Sequence, residues 1–144
     1  MINWAIEATN LQELKERTLI TLSGGQQQRV WIAMALAQDT DILILDEPIT
    51  FLDPAHQLEI LELLQGINRQ GKTILMTIHD LNHASRFSDY LLGMKNGELI
   101  FQGTPKEIFT AEKLLNLFDI QATFATMPNS DKPLVLAYDL VKEH

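Results

Sequence analysis

Ile42-Leu43-Ile44-Leu45-Asp46-Glu47-Pro48 is an aliphatic run that stops abruptly at two carboxylates and a proline. A short, wholly apolar segment bounded by polar residues reads as a strand buried on both faces, and such strands belong to parallel sheets covered by helices. Downstream, Asp53-Pro54 offers an N-cap followed by proline at the first helical position. Leu58, Ile60, Leu61, Leu63, Leu64 and Ile67 then line a helix that the stretch Gly66 to Gly71 ends. Thr73 to Ile78 is a second apolar, β-branched run, closing on His79-Asp80. Ile42 to His79 is therefore predicted as strand, helix, strand, joined by a right-handed parallel crossover, and the fold class is α/β.

Upstream, Ser23-Gly24-Gly25-Gln26 leads into a segment whose apolar positions Val30, Ala33, Met34 and Ala37 recur at helical spacing, and Ser23 with Gln26 fits a capping box. Asn3 to Leu14 is predicted as one or two short helices. On the other side, a short helix is expected near Asp80 to Phe87. Tyr90 to Met94 and Glu98 to Gln102 flank the hairpin turn Lys95-Asn96-Gly97, and Thr104-Pro105-Lys106-Glu107 opens another capped helix. A last hairpin is expected beyond Ile120, turning between Pro128 and Pro133. The expected organisation is a helical segment over 1–38, an α/β core over 39–103, and helices with a tail over 104–144.

Composition narrows the function. With 144 residues and 46% hydrophobic content the chain is sized for one soluble domain. No aliphatic run approaches the roughly 20 residues of a membrane span, so a membrane role is expected to go through a partner. Glu7, Glu13, Lys15, Glu16 and Arg17 interrupt the first segment, no secretory leader is expected, and the expected location is the cytoplasm. Absence of cysteine removes disulfides, thiolate metal sites and cysteine nucleophiles. A net charge of -8 opposes nonspecific binding to nucleic acid or anionic lipid, and no nucleic-acid partner is expected.

Strands ending in Asp46-Glu47 and in His79 bring three titratable groups to the carboxyl edge of one sheet, where open α/β folds bind ligands. There one carboxylate can hold Mg²⁺, a second can orient and deprotonate an attacking water, and an imidazole can contact a terminal phosphate. Taken singly, Asp46 and Glu47 could equally cap the next loop, and His79 could be a satisfied polar residue. Ser23, Gly24 and Gly25 at a helix start offer backbone N–H groups and a hydroxyl to a phosphate. The helix dipole adds only about 0.3–1 kcal/mol, so direct hydrogen bonds must dominate; an ordinary capped helix with a glycine entry is the alternative.

Taken together, these segments resemble one family. Leu22 to Arg29, LSGGQQQR, is similar to the signature of ABC ATPases, and ILILDEP to their Walker B segment. Ile49 to Asp53 resembles their D-loop and Thr77 to Asp80 their switch region, in the same order and spacing. Trp31 to Gln38 and Leu52 to Leu64 look like the ATPase subunits of iron-siderophore importers. The resemblance runs over nearly the whole chain, weakest after Phe118. It implies part of a P-loop NTPase fold of the ABC type, with ATP and Mg²⁺ as ligands: Asp46 assisting the metal, Glu47 as catalytic base, His79 sensing the γ-phosphate and Asp53 communicating across a dimer. It further implies that Ser23, Gly24, Gly25 and Gln26 close over ATP held by an opposite subunit, and that a membrane permease is the partner. Ile49 stands where the family more usually has threonine, with little consequence expected.

The family's phosphate-gripping loop, G-x-x-x-x-G-K-S/T, needs a strand before it and a helix after it, so that backbone N–H groups converge on the phosphates. The one match, Gly66 to Thr73, has a helix before it and a strand after it, and is rejected. The true loop would lie upstream of the signature and has no room before Ile20. The 144 residues are therefore expected to be the second half of such a subunit, inactive alone, and to self-associate through surface the missing half would cover. An ABC-type ATPase of DNA repair or translation, and a nonenzymatic truncated binding fragment, are the competing readings.

Overall fold

The computed structural model describes residues 1–142, so the last two positions of the expected 104–144 segment lie outside it. The chain divides into two compact units, Met1–Ile78 and the remainder from His79.

In the first unit, α1 (Ile2–Ala8) is followed by 3₁₀ turns at Gln12–Leu14 and Leu19–Thr21, then α2 (Gly24–Leu36), β1 (Ile42–Leu45), α3 (Pro54–Arg69) and β2 (Thr73–Met76). β1 and β2 pair in parallel, Ile42 opposite Thr73 and Leu45 opposite Met76. Both longer helices start where the sequence places their caps. Ser23 accepts the Gln26 N–H while the Gln26 side chain accepts the Ser23 N–H, and Asp53 accepts the His56 N–H with Pro54 at the first helical position. α3 buries Ile60, Leu61, Leu64 and Ile67 along one stripe, and with Ile32, Leu36 and Leu43 they make the core of this unit.

α3 ends at Arg69, inside the Gly66 to Gly71 stretch expected to end it; it passes through Gly66 because a single interior glycine costs only about 1 kcal/mol against alanine, a loss the buried stripe outweighs. One burial expectation needs correction: β1 is not buried on both faces. Leu43 is 4% exposed, but its strand neighbours Ile42 and Ile44 are 56% and 72% exposed and Leu75 of β2 is 47% exposed. The strands alternate with period two, and the described residues supply a cover for one face only.

The second unit runs α4 (Leu81–Phe87), β3 (Leu91–Lys95), β4 (Glu98–Gly103), α5 (Pro105–Ile108), α6 (Ala111–Phe118), β5 (Ile120–Thr126) and β6 (Pro133–Leu140). β3 and β4 form the expected hairpin, with Asn96 and Gly97 both at positive φ as a tight primed turn requires. β5 and β6 form the terminal one, which is fastened to α4: the Asn82 amide donates to the Val135 carbonyl at 3.0 Å and accepts the Val135 N–H at 2.8 Å, and the Ser85 hydroxyl donates to the Pro133 carbonyl at 2.6 Å. Among the described residues no helix is long and apolar enough to cross a membrane.

Candidate functional site

Two constellations form in the first unit. The first lies where β1 and β2 end. β2 stops at Met76 rather than running to Ile78, so the residue it sets beside the carboxylate pair is Thr77, whose N–H donates to the Leu45 carbonyl at 3.1 Å. The Thr77 hydroxyl donates to Asp46 Oδ1 at 2.8 Å and accepts the Glu47 N–H at 2.7 Å. One hydroxyl thus fixes both carboxylate residues. Glu47 has φ +49, a left-handed conformation uncommon outside glycine, and the loop after it is anchored by buried Pro48 and Ile49. Ile49, the departure from the family pattern, therefore occupies a core position, where an aliphatic side chain belongs.

No group of three or more His, Asp or Glu side chains arranged to hold a metal occurs among the described residues. Asp46 with its hydroxyl neighbour suits Mg²⁺, which keeps several waters and takes one or two protein carboxylates alongside substrate phosphates. His79 belongs to the second unit, three residues beyond the end of β2.

The second constellation lies where α2 and α3 begin. Gly24 and Gly25 are the first two helical residues of α2, whose N–H groups an α-helix leaves without internal acceptors. Gly25 is buried, and a Cβ there would fall 2.6 Å from Cδ2 of His56. His56 Nδ1 lies 2.7 Å from Oδ2 of Asp53, and the His56 N–H reaches Oδ1 at 3.0 Å. That N–H first, then the ring, hold the Asp53 carboxyl below the usual carboxylate range. Arg29 and Glu59 form an ion pair at 2.8 Å between the same two helices. Ser23, Gly24, Gly25, Gln26 and Asp53, distant in sequence, are thus gathered on adjoining helix starts.

Sequence reasoning missed Thr77, His56 and two glutamines. The Gln27 side-chain amide donates to the carbonyls of Leu19 and Leu22, and that of Gln57 to Ile49 and Leu52, each four residues after its helix N-cap. Only the shared spacing from Ser23 and Asp53 hinted at this. The rejected Gly66 to Thr73 match is a helix end, a turn with Gly71 at φ +98, and the start of β2; the Lys72 ammonium donates to the Thr40 carbonyl at 2.8 Å. Its strand follows it, contrary to a phosphate loop.

Residues 1–50 match the family model described as ABC transporter. Over 143 residues, 99% of the chain, it is 56% identical to the iron(3+)-hydroxamate import ATP-binding protein of Bacillus subtilis. Along nearly its whole length the chain is similar to ABC transporter ATP-binding proteins. A second relative, the ferric enterobactin transport ATP-binding protein of Escherichia coli, is 44% identical over 133 residues, 92% of the chain. The chain spans about half the length of these curated relatives, 53% and 49% respectively. Among solved structures, a metal-chelate type ABC transporter in an inward-facing conformation superposes with a TM-score of 0.82 at 30% identity, covering 94% of this chain and 55% of that one. The fold is accordingly part of the ABC-type P-loop NTPase fold.

Proposed function

We propose that these residues are the signature-bearing, second half of an ATPase subunit that couples ATP hydrolysis to the import of iron-siderophore complexes. The observation that carries this is the 56% identity, along 99% of the chain, to a protein named for iron(3+)-hydroxamate import. In this reading Asp46 would hold Mg²⁺, which when bound neutralises charge on the phosphate oxygens. Glu47 takes the proton of the attacking water, and the Thr77 hydrogen bond to its N–H fixes the backbone from which its carboxylate extends. His79 contacts the γ-phosphate. Ser23, Gly24, Gly25 and Gln26 present the start of α2 to ATP held by an opposite subunit, and Asp53 faces that subunit. A membrane permease is the partner, which would place the assembly on the cytoplasmic face of the membrane.

On this reading the 144 residues turn over no ATP by themselves, since no segment among them supplies a strand-loop-helix grip on the β- and γ-phosphates. Mg²⁺-ATP turnover measured on the chain alone, and on the chain mixed with a separately made phosphate-loop half, tests both parts. Turnover only in the mixture, abolished by Glu47→Gln, is expected. Turnover by the chain alone above its Glu47→Gln variant would overturn the division of labour; turnover in neither would overturn the ATPase reading.

A further inference from the structure

Gly25 is not at a left-handed position and needs no special backbone freedom. What requires glycine there is His56, whose ring stands where a Cβ would be: 2.6 Å from Cδ2 and 3.2 Å from Cγ. The same ring turns its Nδ1 to Asp53 at 2.7 Å, and a carboxylate only accepts, so Nδ1 carries the proton. One imidazole therefore touches buried Gly25 in the first turn of α2 on one side and the carboxylate that caps α3 on the other. Leu52, the residue before that cap, lies 3.7 Å from where a Cβ on Gly24 would be. One turn further along both helices, Arg29 and Glu59 close the same seam.

We propose that His56 is a positioning residue, a strut filling the space left by the missing side chain of Gly25 so that the start of α2 and the Asp53 loop hold one fixed spacing and shift as one body. It rests on the reading of these two segments as the parts that face nucleotide and the opposite subunit. Beyond that reading, it assigns a role to a residue outside both motifs and gives Gly25 a reason separate from phosphate contact. Arg29 and Glu59 are the other charged groups at this seam, and their ion pair holds the helices but does not reach Asp53.

Two measurements on the 144-residue chain, neither needing nucleotide, decide it. In urea denaturation, Gly25→Ala should lower the midpoint when His56 is present and leave it unchanged when His56→Ala is already in place. By NMR, His56→Ala, which keeps the His56 N–H and removes only the ring, should move the Asp53 carboxyl titration part of the way up toward the ordinary carboxylate range and shift the amide signals of Gly24, Gly25 and Gln26, whereas His56→Asn, which keeps a donor near Nδ1, should restore the Asp53 titration. Equal Gly25→Ala losses in both backgrounds, or an Asp53 titration indifferent to His56→Ala, would overturn the strut. Should Gly25→Ala prevent folding, the titration series alone decides. If the strut is found but the mixture with the phosphate-loop half never turns over ATP, the ATPase reading fails and the strut stands; the reverse result removes the strut alone.

Discussion

Thr77 carries more of the site than its residue type suggests. Its hydroxyl is a single atom group used twice, as donor to Asp46 and acceptor from the Glu47 N–H, and the second bond helps hold Glu47 in a left-handed backbone that costs on the order of 1–3 kcal/mol. Thr77→Val keeps the shape and removes both bonds. Since Asp46 and Glu47 are exposed and water can replace part of what is lost, the expected destabilisation is about 0.5–1.5 kcal/mol, read as a lower urea midpoint. In the mixture with the phosphate-loop half, turnover should fall about tenfold, the rate equivalent of one such bond. A variant that loses stability but hydrolyses ATP at the parent rate would confine Thr77 to a structural role. Nothing in the sequence marked this threonine above its neighbours, because its importance comes from the parallel register that sets β2's end beside β1's.

Among the elements, those fixed by local chemistry were legible and those fixed by what covers them were not. The starts of α2 and α3 and the cap at Thr104 follow from side chains within four residues of the backbone groups they satisfy, and the hairpin from the positive φ that Asn96 and Gly97 adopt. Burial of β1 on both faces did not follow, since Ile42 and Ile44 are as apolar as Leu43 and only the tertiary arrangement separates them. The seam between α2 and α3 was invisible for the same reason: the spacing of Gly25 and His56 in sequence says nothing of their contact. Local caps also make a pH prediction. Glu107 accepts the Thr104 N–H at 2.7 Å, then the Thr104 hydroxyl at 3.0 Å, and its carboxyl is held below the ordinary 4.5. A carboxyl lowered by folding stabilises the folded chain fully above its unfolded value, and that contribution fades as pH falls through the lowered one. Glu107→Gln should therefore cost stability at neutral pH and flatten the acid limb below about pH 4.5, with the two proteins converging in acid. Parallel curves down to pH 2 would show that the cap does not set the titration.

At the scale of the molecule, the exposed apolar surface predicts association. In addition to the open sheet face of Ile42, Ile44 and Leu75, the first unit carries a separate apolar hollow of about 450 Å³ lined by Ile2, Ile6, Leu14, Leu19, Val30 and Met34. Among the described residues the sheet has two strands, so both of its edges also present unpaired backbone groups. Exposed apolar surface next to open strand edges drives association, and the relatives the chain matches are about twice as long. The chain alone should therefore form homo-oligomers whose mass by light scattering rises with concentration. Adding the phosphate-loop half should replace them with a one-to-one pair, because a partner that extends the sheet satisfies edge and face together, whereas a second copy has no reason to match both. Ile44→Lys, placing a charge at the centre of the open face, should weaken both assemblies. A monomeric mass at every concentration, with no pair formed on mixing, would mean that the exposed face is tolerated by a chain stable without it, and the ATPase reading would lose its route to a complete site.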